Sequence, residues 1–145
     1  MKQKMKLEID SIPSNESFAR VVVAAFLTRL NPTMEEVADI KTAVSEAVTN
    51  AIIHGYQNEV HKIEIEAEVE KDTLTVSVED FGAGIENIEK AMEPLYTTRR
   101  DLERSGMGFV FMEAFMDTIK VESKPKVGTK VTMTKKIGRR YEMRD

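Results

Sequence analysis

Residues 45–56 read SEAVTNAIIHGY, an apolar segment that carries two polar side chains, Glu46 and Asn50, four positions apart. That spacing stacks both on one face of a helix. Counted at about 100° per residue, Met34, Val37, Ile40, Val44, Ala47, Val48 and Ala51 share one stripe, which is expected to face a core. Asp39, Ala43, Glu46, Asn50 and Ile53 share the opposite stripe. Periodicity alone makes that second stripe an ordinary wet face. Its chemistry permits more: an Asn carbonyl is a neutral oxygen ligand for Mg²⁺, and a nearby carboxylate can take a proton from an attacking hydroxyl. His54 reads as a residue that stabilises the helix end or lies on the surface.

The helix has legible ends. Thr33 and Glu36 have the spacing of a capping box, and Gly55 suits the left-handed residue that commonly closes a helix. Upstream, Met5, Leu7 and Ile9 alternate with charged residues as in a half-buried strand, and a helix is expected from Asn15 or Glu16 to Leu30, closed by Asn31 and Pro32. Downstream, Ile63, Ile65, Ala67 and Val69 alternate with glutamates, and Leu74, Val76 and Val78 follow a turn at Lys71 and Asp72. This predicts an antiparallel hairpin with one wet face. A short helix over 86–92, a loop over 95–105, a helix opened by Gly106 and Gly108, and strands around 119–122 and 131–135 complete the chain. The order predicts a single α/β (α+β) domain spanning residues 1–145. Its architecture is a two-layer sandwich with helices on one face of a mixed, mostly antiparallel sheet.

Bulk properties narrow the function classes. At 145 residues and 41% apolar content the chain has the size of one globular domain. Its formal charge of −4 argues against direct nucleic-acid binding, which needs a cationic footprint. Without cysteine there is neither a disulfide framework nor a thiolate metal site. The start lacks the apolar run of a signal peptide. The longest apolar stretch, Val21–Leu27, falls far short of the roughly 20 residues that cross a bilayer. A cytoplasmic protein without membrane contact is the expectation.

Two further motifs carry chemistry. VEDFGAGI, residues 78–85, ends a strand on Asp80 and then turns at Gly82 and Gly84, where missing side chains let backbone approach a ligand. SGMGF, residues 105–109, places Ser105, Gly106, Met107 and Gly108 at a loop-to-helix junction whose exposed amides suit phosphate oxygens. Arg99, Arg100 and Arg104 precede it, and a second basic cluster, Lys135, Lys136, Arg139, Arg140 and Arg144, ends the chain as a solvated surface.

Each motif is weak alone, but their order and separation resemble the GHKL ATPase superfamily. Glu46-x-x-x-Asn50-Ala51 is similar to its N box, Asp80-x-Gly82-x-Gly84 to its G1 box and Gly106-x-Gly108 to its G2 box. Gly128-Thr129 resembles its additional nucleotide contact. The resemblance implies a Bergerat-type ATP-binding fold with ATP and Mg²⁺ as cofactors. Asn50 would be the metal ligand, Asp80 the partner of the adenine amino group with help from Thr129, and Glu46 the general base. Gly82 and Gly84 would shape the pocket, Gly106 and Gly108 would anchor a lid, Tyr96–Ser105, and Ser105 and Met107 would join them in binding the nucleotide. Among the branches of the superfamily, the chain resembles the stand-alone bacterial anti-sigma serine kinases. That resemblance implies a homodimer that binds and inhibits a sigma factor and phosphorylates a serine on an anti-anti-sigma protein, with the first helix and Arg20 as one partner surface. A nucleotide-gated binding module without kinase activity and a catalytic fragment of a histidine kinase are the alternatives.

Overall fold

A computed structural model of the chain describes residues 1–92 and 108–138. The expected lid, the arginines 99, 100 and 104, the positions Ser105, Gly106 and Met107, and the C-terminal arginines lie outside the described residues. The elements run β1 (Gln3–Asp10), α1 (Ser14–Leu27), α2 (Met34–Asn50), β2 (Lys62–Glu70), β3 (Thr73–Asp80), α3 (Ile88–Ala91), α4 (Gly108–Phe115), β4 (Thr118–Lys124) and β5 (Gly128–Lys136). The five strands form one sheet in the order β1-β2-β3-β5-β4. Expected to be mixed and mostly antiparallel, the sheet is antiparallel at every pairing among the described strands.

Period-two alternation divides the sheet into two faces. Ile63 and Ile65 of β2, Leu74 and Val76 of β3, and Met133 of β5 point inward. They meet Ile40, Val44 and Val48 of α2 and Met112 of α4 in one fully buried cluster. The other face carries Lys4 and Lys6 on β1 beside Glu64, Glu66 and Glu68 on β2. Their partly exposed ion pairs, such as Lys6 Nζ to Glu64 Oε1 at 3.2 Å, contribute little stability each.

The capping box forms as read. The Glu36 amide donates to Thr33 Oγ1 at 3.0 Å, and the Thr33 amide donates to Glu36 Oε1 at 2.8 Å. Helix α1 ends earlier than expected, at Leu27, and continues as a single 3-10 turn, Thr28–Leu30, closed by left-handed Asn31.

Two expectations about α2 fail, for connected reasons. Met34, the first residue of α2, is 90% exposed, whereas Ala43, assigned to the wet stripe, is fully buried. Helix α2 packs against α1 and against α4, so the stripe holding Glu46 and Asn50 is covered by a neighbouring helix. Nor does Gly55 close α2 in a left-handed conformation. The helix widens into a π turn, Ala51–Gly55, and the positive φ values fall at Gln57 (52°) and Asn58 (67°). Such π turns concentrate at functional sites because they re-aim the residues that follow.

Candidate nucleotide site

The inward parity of Leu74, Val76 and Val78 continues to Asp80 at the end of β3, which leaves a carboxyl only 4% exposed at the edge of the core. Register pairs it with Thr129 at the start of β5. Burial pushes the Asp80 carboxyl up to about 6, and the Glu79 charge adds to the rise. Backbone hydrogen bonds from Gly82 and Thr129 oppose it. A carboxyl kept in an apolar recess at a cost to the fold marks a functional position.

The chain after Asp80 is fixed amide by amide. Phe81 N donates to Tyr56 Oη at 2.8 Å, Gly82 N to Asp80 Oδ1 at 3.0 Å, Ala83 N to the Gly55 carbonyl at 2.8 Å, and Ile85 N to Ser123 Oγ at 2.7 Å. Tyr56 in turn donates to the Lys62 carbonyl. The end of α2 is thereby bound to the end of β3, and glycine is required at the crossing. A Cβ on Gly82 would lie 1.9 Å from the Gly55 carbonyl oxygen, and one on Gly55 would lie 2.6 Å from the Asp80 carboxyl carbon.

A second cluster joins the N-terminus of α4 to α2. A Cβ on Gly108 would lie 3.1 Å from Asn50 Nδ2, 3.2 Å from Asn50 Oδ1 and 3.4 Å from Glu46 Oε2. The missing side chain is what lets the new helix start directly over the Asn–Glu pair. Asn50 Nδ2 is buried without a hydrogen-bond partner among the described residues, an orphan of the kind that marks a group awaiting a ligand.

Between the clusters lies a cavity of about 370 Å³ whose lining includes Asn50, His54, Asp80, Gly84, Gly108 and Thr129. Five of the residues chosen from sequence therefore line one cavity. Glu46 and Gly82 are not among its lining residues: Glu46 lies against Gly108, which does line it, and Gly82 packs on Gly55. Ile85, Ala91 and Phe109 supply apolar surface between the polar ends. His54, within the π turn and four residues after Asn50, lines the cavity, although its sequence position suggested only a helix end or a surface residue. Gly55, Tyr56 and Ser123 were missed. Gly55 had been assigned to a cap, and Ser123 fell one residue beyond the expected strand although it continues the parity of Ile119 and Val121.

This arrangement defines a class: an antiparallel sheet covered by helices on one face, with a nucleotide-sized cavity between an Asn-bearing helix and an Asp-Gly turn. The sequence profile of the histidine kinase-like ATPase domain matches residues 11–135, and the chain belongs to that family. Its similarity extends to a particular group of proteins, the anti-sigma F factors. It is 61% identical over 136 residues to the anti-sigma F factor of Clostridium acetobutylicum, covering 94% of this chain and 95% of that protein. It is 60% identical over 134 residues to that of Thermoanaerobacter pseudethanolicus (92% and 94%), and 53% identical over 140 residues to that of Oceanobacillus iheyensis (96% and 96%). The crystal structure of the RsbU and RsbW domains of Rv1364c from Mycobacterium tuberculosis shares the fold with a TM-score of 0.66 at 20% identity. It is matched over 93% of this chain and 32% of that one.

Proposed function

We propose that this chain is a cytoplasmic, homodimeric anti-sigma factor that binds and inhibits an RNA polymerase sigma factor, sigma F in sporulation. In the same reading it uses ATP to phosphorylate a serine of an anti-anti-sigma protein. The observation that carries the ATP-dependent part is the convergence of Asp80 and Thr129 at one end of a single cavity with Asn50 and Gly108 at the other. The high identity to proteins named anti-sigma F factor supports the sigma-binding part. No helix among the described residues is long and apolar enough to cross a membrane.

The residues present fit Mg²⁺-ATP. The buried carboxyl of Asp80 would accept a hydrogen bond from the amino group of adenine, with Thr129 beside it. The apolar walls would take the ring. The start of α4 would suit the phosphates. Asn50, whose amide has an unmet buried atom, offers its carbonyl oxygen to the metal. No group of three or more His, Cys, Asp or Glu side chains among the described residues forms a metal cage. This suits Mg²⁺, which takes most of its oxygens from phosphates and water. When bound, Mg²⁺-ATP supplies the transferable phosphoryl group and the charge that neutralises it. Glu46 would be the residue that accepts the proton of the incoming serine hydroxyl, whose oxygen would take the phosphoryl group as ADP leaves.

The partner surface falls on α1. Arg20 is held along the helix by Glu16 Oε1 at 3.5 Å and Ser17 Oγ at 3.1 Å, and the same helix exposes Phe18 and Val21, at 52% and 55%. Incubation with labelled ATP and the anti-anti-sigma protein is expected to yield acid-stable phosphoserine. No transfer, with sigma binding intact, would leave only a nucleotide-gated binding module. Acid-labile phosphohistidine on a helical partner would identify a histidine kinase fragment instead.

A further inference from the structure

We infer that Ser123, which stands behind the cavity wall, is a positioning residue that makes the base end of the site select a 6-aminopurine over a 6-oxopurine. The inference rests on the reading of the Asp80 end as the base site. Ser123 Oγ makes three hydrogen bonds: it accepts from the Ile85 amide at 2.7 Å, donates to the Gly128 carbonyl at 3.0 Å, and lies 2.8 Å from Thr129 Oγ1. A carbonyl oxygen can only accept, so the single serine proton is committed to Gly128. The Ser123–Thr129 bond must therefore use the proton of Thr129.

The consequence appears on the cavity side. Thr129 and Asp80 are cross-strand partners on the same face, and both line the cavity. With its proton turned back toward Ser123, the Thr129 hydroxyl offers only lone pairs, and an ionised Asp80 offers only acceptors. A base placed here must bring the donor, as the amino group of adenine does. The carbonyl at position 6 of a hypoxanthine or guanine base would meet acceptors on both strands and leave buried polar atoms unpaired, the situation that gives hydrogen-bonding sites their strongest discrimination. In Ser123→Ala the Thr129 hydroxyl is free to rotate and donate into the cavity, and this part of the discrimination is lost.

The experiment measures the Kd of ATP and of ITP, whose bases differ in the 6-amino against the 6-oxo group and the accompanying N1 lone pair against N1–H, for the full chain and its variants. Wild type is expected to prefer ATP. Ser123→Ala should lower that preference about tenfold, the worth of one hydrogen bond, while ATP affinity changes by less than about threefold. Ser123→Thr, which keeps the hydroxyl, should restore the preference. Thr129→Val should also lower it, and adding Ser123→Ala to Thr129→Val should change it no further, because Ser123 acts through Thr129. A parallel loss of affinity for both nucleotides, or additive effects in the double variant, would show a merely structural role and overturn the inference. If Ser123→Ala does not fold by circular dichroism, an unchanged ATP-to-ITP ratio in Thr129→Val overturns it equally. Wild type that binds ATP and ITP alike, or neither, overturns the base-site reading itself and this inference with it.

Discussion

The two ends of the cavity are built on opposite principles. At the Asp80 end, hydrogen bonds run within the protein: the amides of Phe81, Gly82, Ala83 and Ile85 have fixed acceptors, and Ser123 has its donor and both acceptor positions filled. At the Asn50 end a buried amide atom has no partner among the described residues, and α4 begins on a glycine pressed against Asn50 and Glu46. The first end is preorganised by strands, and in the proposed reading it would take an invariant group, the base. The second would be completed by what binds, which suits phosphates that arrive, transfer and depart. Preorganisation lowers the cost of binding, whereas chemistry requires groups aimed at charge that develops only during the reaction.

The largest expected break falls at the Asn50 end. Glu46→Ala should reduce serine phosphorylation by about 10²–10⁴-fold, the usual worth of a general base, while leaving ATP affinity within a few-fold. Single-turnover transfer with labelled ATP separates the two, and unchanged turnover would remove Glu46 from the chemistry. Asn50→Ala should abolish the Mg²⁺-dependent part of nucleotide affinity, measured by titrations with and without the metal. Affinity that keeps its full metal dependence would remove Asn50 as the ligand.

The next effect belongs to the Asp80 end. Asp80→Asn should weaken ATP binding by about 10–100-fold, as expected for loss of a hydrogen bond to an ionised acceptor. In wild type the same affinity should decline as pH falls through about 6, where Asp80 takes up a proton. A flat affinity profile from pH 7.5 to 5.5 would contradict the assignment. Gly55→Ala should cost about tenfold in ATP affinity, since its Cβ would lie within 2.7 Å of both carboxylate oxygens. Equal loss in an Asp80→Ala background, where no carboxyl group meets the added Cβ, would show that Gly55 acts by some route other than the Asp80 side chain.

Legibility in the sequence followed the same division. Alternation gave the first three strands, and the Thr33–Glu36 spacing gave the start of α2, because these are local patterns that span two or three residues. The motif residues Asn50, Asp80, Gly84, Gly108 and Thr129 also gathered as expected around one cavity. What stayed hidden depends on contacts between distant segments. The wet stripe of α2 is covered by α4, more than 50 residues later. Gly55 looks like a helix cap, yet it is glycine to make room for a carboxylate on β3. Ser123 has no motif at all, and its role emerges only from a register that sets it opposite Thr129.

The smallest effect tests whether the preorganised end is held at a cost to the fold. Asp80 has its carboxyl raised from 3.8 to about 6 by burial, so folding favours the protonated form. Stability from this group is fully present below pH 3.8 and is lost as pH rises through about 6. At pH 7 the ionised carboxylate is a liability of at most about 3 kcal/mol. Asp80→Asn, which keeps the shape and removes the charge, should therefore raise the ligand-free Tm by a few degrees at pH 7. That gain should fall to about half at pH 5 and vanish only below about pH 3.8, where the carboxyl is protonated in the folded and unfolded chains alike. Thermal unfolding of both chains across this range is decisive. A variant less stable than wild type at pH 7 would mean that the hydrogen bonds from Gly82 and Thr129 outweigh the desolvation, and that the base end is a stabilising feature of the fold. A gain at pH 7 that comes with lost ATP affinity would show the fold giving up stability to keep an acceptor in place for its ligand.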